Sequence, residues 1–290
     1  MRAHAATLRT RLETGVPLAM PGVFDALSAR LAARAGFEVV FLSGYGMSAT
    51  QLGEPDFGIL NQGEAIATAE RVCAAVEVPV VVDADTGYGS VVNVMRTVRE
   101  LVRAGAAGIF LEDQVWPKRC GHMRGKRVIP VEEQVGKLRA AVEARGEADL
   151  VIVARTDARQ AVGLDDAIAR ALAYREAGAD ALFVEAPQSL DELREIGHRL
   201  PPPLVANMVE QGATPDLDLA ELAAIGFSWV VYPVAGLFAA THAMRGLYAR
   251  LRADGTTRGF RDRLVSFPEF NDLIGLDQKY ALDARFGSGS

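Results

Sequence analysis

The chain is 290 residues long, 50% hydrophobic and 23% charged, with a formal charge of −6 and a pI near 5.4. That is enough chain for one large core, and no apolar run reaches the length of a membrane span. The acidic balance, with neither a basic tail nor a basic helix, argues against nucleic acid or an anionic membrane as a partner and leaves a small molecule. Cys73 and Cys120 alone make no disulfide framework, and the N-terminus around His4, Arg9 and Arg11 lacks a signal-peptide core, so a cytoplasmic location is expected.

Along the chain, short apolar or β-branched runs alternate with longer helical patterns. A strand at Leu18 to Pro21 leads to a helix over Asp25 to Ala35, then a strand at Glu38 to Ser43 and a helix over Glu64 to Ala75. The strand at Pro79 to Asp83 precedes a helix over Ser90 to Arg103, and that at Gly108 to Glu112 precedes one over Glu132 to Ala144. A strand at Asp149 to Ala154 leads to a helix over Asp165 to Ala177, and one at Asp180 to Glu185 leads to a helix over Ser189 to Arg199. Strands at Pro203 to Asn207 and Trp229 to Tyr232 complete the series, with a last crossover helix from Leu237 to Leu251. Asp25, Ser90, Asp165 and Ser189 stand where N-caps belong. Gly36, Gly105, Gly178 and Gly226 recur at helix ends just ahead of strands.

Eight strands with helical crossovers in about 250 residues predict a (β/α)8 barrel of the TIM type rather than an open doubly wound sheet. No dinucleotide-binding glycine fingerprint follows the first strand. We read residues 1–290 as a single barrel domain, with 254–290 as a C-terminal helical extension. That tail has apolar positions at Phe270, Leu273, Ile274, Leu276, Tyr280 and Leu282, and a finished barrel has no slot for it.

A barrel gathers the carboxyl ends of its strands around one mouth. Ser43, Asp83, Asp85, Glu112, Asp113, Arg155, Asp157, Glu185 and Asn207 all fall at or just past such ends. Asp83, Asp85 and Glu112 offer hard oxygen ligands without clustered histidines or thiolates, which favours Mg²⁺ or Mn²⁺ over zinc. The plainer alternative is that these carboxylates pair with Arg155 or Lys118. Downstream, the run Glu112-Asp113-Gln114-Val115-Trp116-Pro117-Lys118-Arg119-Cys120-Gly121-His122 sets one thiol among cations. Those cations are expected to stabilise the Cys120 thiolate and tune it for proton transfer near neutral pH, and the basic stretch from Lys118 to Arg127 to gate a small anion. A bystander cysteine in a solvated loop is the competing reading.

The pattern resembles the isocitrate lyase and phosphoenolpyruvate mutase superfamily over nearly the whole chain. The likeness runs through Pro21-Gly22-Val23-Phe24-Asp25-Ala26-Leu27-Ser28-Ala29, Ser43-Gly44-Tyr45, Pro55-Asp56-Phe57-Gly58 and Asp83-Ala84-Asp85-Thr86-Gly87-Tyr88-Gly89. It continues through Lys118-Arg119-Cys120-Gly121-His122, Arg155-Thr156-Asp157-Ala158-Arg159, Val184-Glu185-Ala186 and Ala206-Asn207-Met208. The segment from Leu111 through Lys126 is most similar to the dimethylmalate lyase branch. The resemblance implies that Asp85 binds Mg²⁺ directly, with Asp83 and Glu112 holding its water. It implies that Ser43, Gly44, Tyr45, Arg155, Glu185 and Asn207 bind substrate oxygens and that Asp56 sits beside the reacting carbons. Lys118, Gly121 and His122 would close over the substrate with the gating loop, and Cys120 on that loop would be the proton donor.

The activity so implied is cleavage of a carbon–carbon bond in a 2-hydroxy dicarboxylate of the 2-alkylmalate, dimethylmalate or methylisocitrate type, giving an α-keto acid and a carboxylic acid. Tyr45, Glu185 or a metal-bound water would take the hydroxyl proton, and Arg155 would assist. Oxaloacetate hydrolysis and carboxyvinyl-carboxyphosphonate rearrangement are the alternatives within the superfamily; a non-catalytic binding barrel leaves Cys120 and the carboxylates without a purpose. In oxaloacetate-hydrolysing members a serine follows the eighth strand, where this chain has Pro233. The resemblance also implies a homotetramer, built as a dimer of dimers that exchange C-terminal helices.

Overall fold

Each expected run forms a strand. β1 (Leu18–Val23), β2 (Val40–Leu42), β3 (Val80–Asp83), β4 (Gly108–Glu112), β5 (Val151–Thr156), β6 (Ala181–Val184), β7 (Leu204–Asn207) and β8 (Trp229–Tyr232) pair in chain order. β8 pairs back onto β1, with Leu18 opposite Trp229, and closes a parallel barrel. The structure, a computed structural model, describes residues 2–287. The chain divides into two compact units, one ending at Leu237 and the other beginning at Phe238.

Side chains on a strand alternate between its two faces, and that period of two builds the barrel unit. Phe41, Val81, Phe110, Val153, Phe183, Val205 and Val231 fill the interior. Their neighbours Leu42, Val82, Ile109, Ile152, Leu182, Leu204 and Val230 pack outward under the helices. Phe110 meets Phe41 at a ring separation of 4.8 Å and Phe183 at 5.5 Å, so the interior is a packed core and not a channel. Two residues beyond each interior position, on the same face, stand Ser43, Asp83, Glu112, Arg155, Glu185, Asn207 and Pro233. The mouth is thus the polar continuation of the apolar stack.

The crossover helices are Ala26–Arg34, Gln62–Ala75, Val91–Ala104, Val131–Arg145, Leu164–Glu176 and Leu190–Arg199. Asp25 caps the first, its carboxylate accepting the Ser28 N–H at 2.7 Å, and Ser189 accepts the Glu192 N–H at 3.1 Å. Ser90 also occupies an N-cap, where its N–H donates to the Asn93 side chain at 3.0 Å. Asp165 is a correction: Gly163 is the cap, and Asp165 lies in the first turn, where a carboxylate still suits the positive end of the helix and reaches Arg199 at 2.6 Å. Gly36, Gly105, Gly178 and Gly226 have φ of 92°, 92°, 102° and 102°, the left-handed turn that releases each helix towards its strand.

Helices at Arg2–Glu13, Gly44–Leu52 and Leu219–Ala224 add to those read from the sequence. Ala5, Leu8 and Leu12 of the first are buried among interior residues including Leu18, Ala107, Val151 and Ala181, all near strand starts. This helix therefore plugs the amino end of the barrel and leaves the opposite end for the site.

In the second unit, a 3-10 turn at Arg258–Arg263 follows the helix Ala235–Asp254, which begins in the barrel unit. The single helical stretch expected after Phe267 is two helices, Phe267–Ile274 and Leu276–Phe286, because Gly275 turns left-handed at φ 79°. Among the described residues of this unit Phe260 is the one buried hydrophobic side chain, while Phe267, Tyr280 and Phe286 are 79%, 64% and 71% exposed. No helix among the described residues is long and apolar enough to cross a membrane.

Candidate active site

Asp83 ends β3, and both its oxygens accept backbone N–H groups, from Asp85 at 3.1 Å and Gly44 at 3.3 Å. A β-carbon on Gly44 would lie 2.8 Å from Asp83 Oδ2, so only glycine lets the start of the Gly44–Leu52 helix reach this carboxylate. Asp85 follows with φ 48°, a left-handed backbone that aspartate tolerates better than most residues. Its Oδ1 lies 2.6 Å from Lys118 Nζ, and the same ammonium is 2.6 Å from Asp56 Oδ1. On β4, Glu112 Oε2 is 3.3 Å from Arg155 Nη2, while Glu112 Oε1 is buried without a hydrogen-bond partner.

Burial pushes the Asp85 carboxyl up to about 7; Lys118 opposes the rise, and Asp83 and Asp56 add to it. Burial likewise holds Glu112 well above the usual carboxylate range, against the pull of Arg155. The same desolvation works against Lys118 as a cation, but Asp85, Asp56, Glu112 and Asp83 outweigh it and keep the ammonium charged.

Among the described residues no three His, Cys, Asp or Glu side chains form a ready-made metal cluster. Asp85–Lys118 and Glu112–Arg155 are ion pairs, as the plainer reading of these carboxylates expected. The donor set nevertheless fits a hard cation. It is all oxygen, one buried Glu112 oxygen is unpartnered, and burial raises two of the carboxyls for want of more positive charge. Mg²⁺ keeps several waters and needs only one or two direct carboxylates, so a dense cluster is not required.

Arg155 is the hub of the opposite side. Its Nε and Nη2 bind Asp157 at 2.9 and 3.1 Å, and Nη2 also lies 3.3 Å from both Glu112 Oε2 and Glu185 Oε2. Glu185 is 3.2 Å from His122 Nε2 and accepts from Asn207 Nδ2 at 3.3 Å. Burial alone would raise Glu185, but Arg155 and the His122 hydrogen bond outweigh it and hold the carboxyl near 2. His122 Nδ1 accepts the Ala213 N–H at 3.1 Å, so a neutral ring carries its proton on Nε2, facing Glu185. The Asn207 amide then donates to Glu185 and leaves its buried Oδ1 unpartnered.

The loop after β4 brings Cys120 to these groups. Gln114 takes both the Arg119 N–H, at 3.0 Å, and the Arg119 carbonyl, at 2.7 Å. The Cys120 N–H donates to the Asp56 carbonyl at 3.0 Å. Gly121 rests on the hub: a β-carbon there would lie 2.5 Å from Arg155 Nη2 and 2.5 Å from Glu185 Cδ. Tyr45 completes the wall; burial, with Cys120 and Asp56 nearby, raises its phenol above the usual value.

Two expectations about this loop are corrected. The Cys120 thiol is not lowered by cations; burial pushes it up to about 11, with Asp56 and Glu185 adding to the effect and the His122 N–H and Arg155 opposing it. The basic stretch is also not a field of free positive charge. Lys118 is buried between Asp56 and Asp85, and Lys126 is buried with its ammonium 2.7 Å from Asp157 Oδ1. A thiol that keeps its proton suits a donor better than a nucleophile.

Ser43, Gly44, Tyr45, Asp56, Asp83, Asp85, Glu112, Lys118, Cys120, Gly121, His122, Arg155, Glu185 and Asn207 thus surround one mouth. Pro233 stands at the carboxyl end of β8 over Gly22, where a β-carbon would overlap its backbone. Asp113 does not join them: it accepts from Thr156 Oγ1 at 2.7 Å, Tyr174 Oη at 2.8 Å and the Asp157 N–H at 2.9 Å, and fixes the scaffold behind the site. Tyr88 and Lys126 escaped sequence reasoning. Tyr88, at φ 61°, sets its ring edge-on to Trp116 at 5.9 Å and buries an unpartnered hydroxyl. A lysine in a basic loop gives no sign in sequence that it is buried.

Fold and site together define an α/β-barrel enzyme whose mouth combines a carboxylate side suited to a cation with an arginine-centred side under a cysteine loop. The chain belongs to the phosphoenolpyruvate phosphomutase family, whose pattern matches residues 8–252, within the isocitrate lyase and phosphoenolpyruvate mutase superfamily, and is an enzyme of that superfamily's carbon–carbon lyase class. It is 48% identical to 2,3-dimethylmalate lyase of Eubacterium barkeri, over 98% of this chain and 99% of that one. It is 50% identical to the chloroplastic carboxyvinyl-carboxyphosphonate phosphorylmutase of Arabidopsis thaliana, over 95% of this chain and 82% of that one. An oxaloacetate acetylhydrolase bound to 3,3-difluorooxalacetate superposes with a TM-score of 0.94 at 35% identity, covering 100% of this chain and 99% of the other. A phosphonopyruvate hydrolase in complex with oxalate and Mg²⁺ superposes with a TM-score of 0.89 at 33% identity, covering 98% and 99%.

Proposed function

We propose that this enzyme cleaves a 2-alkylated malate, of the dimethylmalate or methylisocitrate type, to an α-keto acid and a carboxylic acid. The observation that supports this reading is the close seating of Gly121 against Arg155 and Glu185, beside Cys120 in the same loop. Asp85 would hold Mg²⁺ (or Mn²⁺), with Asp83 and Glu112 orienting its water. When bound, the cation acts as a Lewis acid towards the negative charge that develops on substrate oxygens.

The remaining work falls to the chain. Arg155, Asn207 and the Ser43-Gly44-Tyr45 turn bind carboxylate and hydroxyl oxygens, with Lys118 and Asp56 flanking the reacting carbons. The hydroxyl proton passes to Tyr45 as phenolate, or to a water at the mouth, and that oxygen becomes a carbonyl as the adjacent carbon–carbon bond breaks. The bonding pair passes to the departing carboxylate fragment, and Cys120 Sγ–H protonates its carbon. Glu185, held near 2, is a weak base, and its proton-bearing partner His122 makes it better suited to orienting substrate than to taking the proton. The closed loop keeps water from quenching the fragment before Cys120 delivers its proton.

Two finer features complete the proposal. The enzyme works as a cytoplasmic homotetramer, in which exposed Phe267, Tyr280 and Phe286 of the second unit are covered by partner subunits. Rearrangement of carboxyvinyl-carboxyphosphonate is the second reading, supported by the identity to the Arabidopsis relative. The deciding experiment is Mg²⁺-dependent release of an α-keto acid, followed with a coupled dehydrogenase over 2-alkylmalates, 2-methylisocitrate, dimethylmalate, oxaloacetate and the carboxyphosphonate. Turnover of the phosphonate alone would reject the lyase reading.

A further inference from the structure

Lys126 is fully buried at its side chain, beside Asp157, which is equally buried. An ammonium ion withdrawn from water must find charge and hydrogen-bond partners in place of its hydration shell. Lys126 has two. It donates to Asp157 Oδ1 at 2.7 Å and to the Gly121 carbonyl within its own loop. Asp157 is in turn held from behind by Asp113, which accepts its N–H at 2.9 Å, and in front it binds Arg155 through Nε and Nη2 at 2.9 and 3.1 Å. One carboxylate thus carries the active-site arginine on one side and the cysteine loop, through lysine, on the other. The loop is also tied by Lys118 to Asp56 and Asp85, by His122 to Glu185 and the Ala213 N–H, by Gln114 on Arg119, by the Asp56 carbonyl on the Cys120 N–H, and by Val115 on Arg127 at the stem. Among these ties, that of Lys126 is the one that ends on the carboxylate holding Arg155 through two hydrogen bonds.

We propose that Lys126 is a positioning residue that latches the Cys120 loop onto Asp157, so that seating of the loop and aiming of Arg155 depend on the same carboxylate. The latch rests on the reading of Cys120 as proton donor, and it accounts for a buried lysine that reaches the mouth through the Gly121 carbonyl and through Asp157, the partner of Arg155. Without the ammonium, the Gly121 carbonyl loses its buried donor and the loop opens more often. Arg155 then keeps its two hydrogen bonds to Asp157, but Cys120 is no longer held over the mouth.

The test uses the full-length enzyme with Lys126→Met and Lys126→Arg. Labelling of Cys120 by iodoacetamide, quantified on its peptide by mass spectrometry, reports loop opening without reference to any substrate. Lys126→Met is expected to label several-fold faster than the parent in protein whose circular dichroism is unchanged. Its kcat on the best alkylmalate should fall by about 100-fold, the scale of a misplaced catalytic group, with a smaller change in KM. Lys126→Arg, which keeps a cation and a donor, should recover most of both. If Lys126→Met fails to fold, Lys126→Ala, which likewise removes the donor to Gly121 and the charge beside Asp157, is read in the same way. Faster labelling supports the latch even if no alkylmalate is turned over by any variant, a result that would overturn the substrate reading alone. Unchanged Cys120 labelling in folded Lys126→Met overturns the latch, whatever happens to turnover.

Discussion

Lys118 Nζ lies 2.6 Å from Asp85 Oδ1 and 2.6 Å from Asp56 Oδ1, with all three side chains buried. One cation from the loop after β4 thereby pairs with two carboxylates from other parts of the mouth. Removing one partner of a buried ion pair leaves an uncompensated charge and costs about 3–5 kcal/mol. Lys118→Met should therefore lower stability by that order in urea unfolding, and added Mg²⁺ should return part of it by supplying positive charge near Asp85. A variant as stable as the parent would show that the pair contributes nothing net.

Asp85→Ala should abolish turnover while leaving the fold intact, because Asp85 lies beyond the end of β3 and outside the apolar stack. EDTA treatment of the parent should do the same reversibly, with activity returning on Mg²⁺ or Mn²⁺ addition. Near-normal turnover in metal-stripped enzyme would remove the metal from the mechanism.

The barrel was legible because its signals are local and repeated: a period of two in each strand, a capped helix, and a left-handed glycine at Gly36, Gly105, Gly178 and Gly226. The mouth was legible for the same reason, since Asp83, Glu112, Arg155, Glu185 and Asn207 each follow an interior residue by two positions. What the residues beside Cys120 could not reveal is where their charges go. Lys118 finds partners at Asp56 and Asp85, 62 and 33 positions away in sequence, and Lys126 finds Asp157; only the closed barrel sets these pairs together. A thiol that reads as surrounded by free cations is instead a buried group whose neighbours are already neutralised. The N-terminal helix escaped notice because its buried positions, Ala5, Leu8 and Leu12, are interspersed with Arg9 and Arg11, whose partners lie elsewhere in the barrel unit.

Cys120 should titrate late. An ordinary thiol ionises near 9.0, and burial lifts Cys120 to about 11. A raised thiol pKa means that the folded state holds its proton longer than the unfolded chain does, so this group's contribution to stability is constant below pH 9 and declines as pH rises from there towards 11. The rate of Cys120 alkylation against pH should accordingly show its midpoint above that of free cysteine. A midpoint below 8.5 would restore the cation-stabilised thiolate. Cys120→Ser, a far weaker acid of similar size, should slow proton donation by roughly 10²- to 10⁴-fold with substrate binding retained.

The second unit should be covered in solution. Phe267, Tyr280 and Phe286 are 79%, 64% and 71% exposed, and large apolar side chains on a short helical segment are held in water only at a cost in solubility. Light scattering after size exclusion should give a tetramer, and Phe267→Asp combined with Phe286→Asp should shift it to smaller species. A monomeric parent would end the helix-exchange proposal.

Pro233 sets the last expectation, which concerns choice of substrate. It lies where β8 leaves the barrel, with its backbone packed over Gly22 of β1, and it offers neither a hydroxyl nor a backbone N–H to the mouth. Hydrated oxaloacetate carries a second hydroxyl on the carbon that a 2-alkylated malate fills with an alkyl group. A buried hydroxyl left without a partner costs about 1–3 kcal/mol, or roughly 10- to 100-fold in discrimination. Pro233 therefore favours the alkylated substrate, and Pro233→Ser, which restores both donors, should raise kcat/KM for oxaloacetate hydrolysis relative to the parent by that order. Because the Gly22 contact involves the backbone of residue 233, serine should be accommodated there without loss of fold. A parent enzyme that already prefers oxaloacetate over every alkylmalate would reverse the argument, placing the chain with the hydrolases and making Pro233 incidental to specificity.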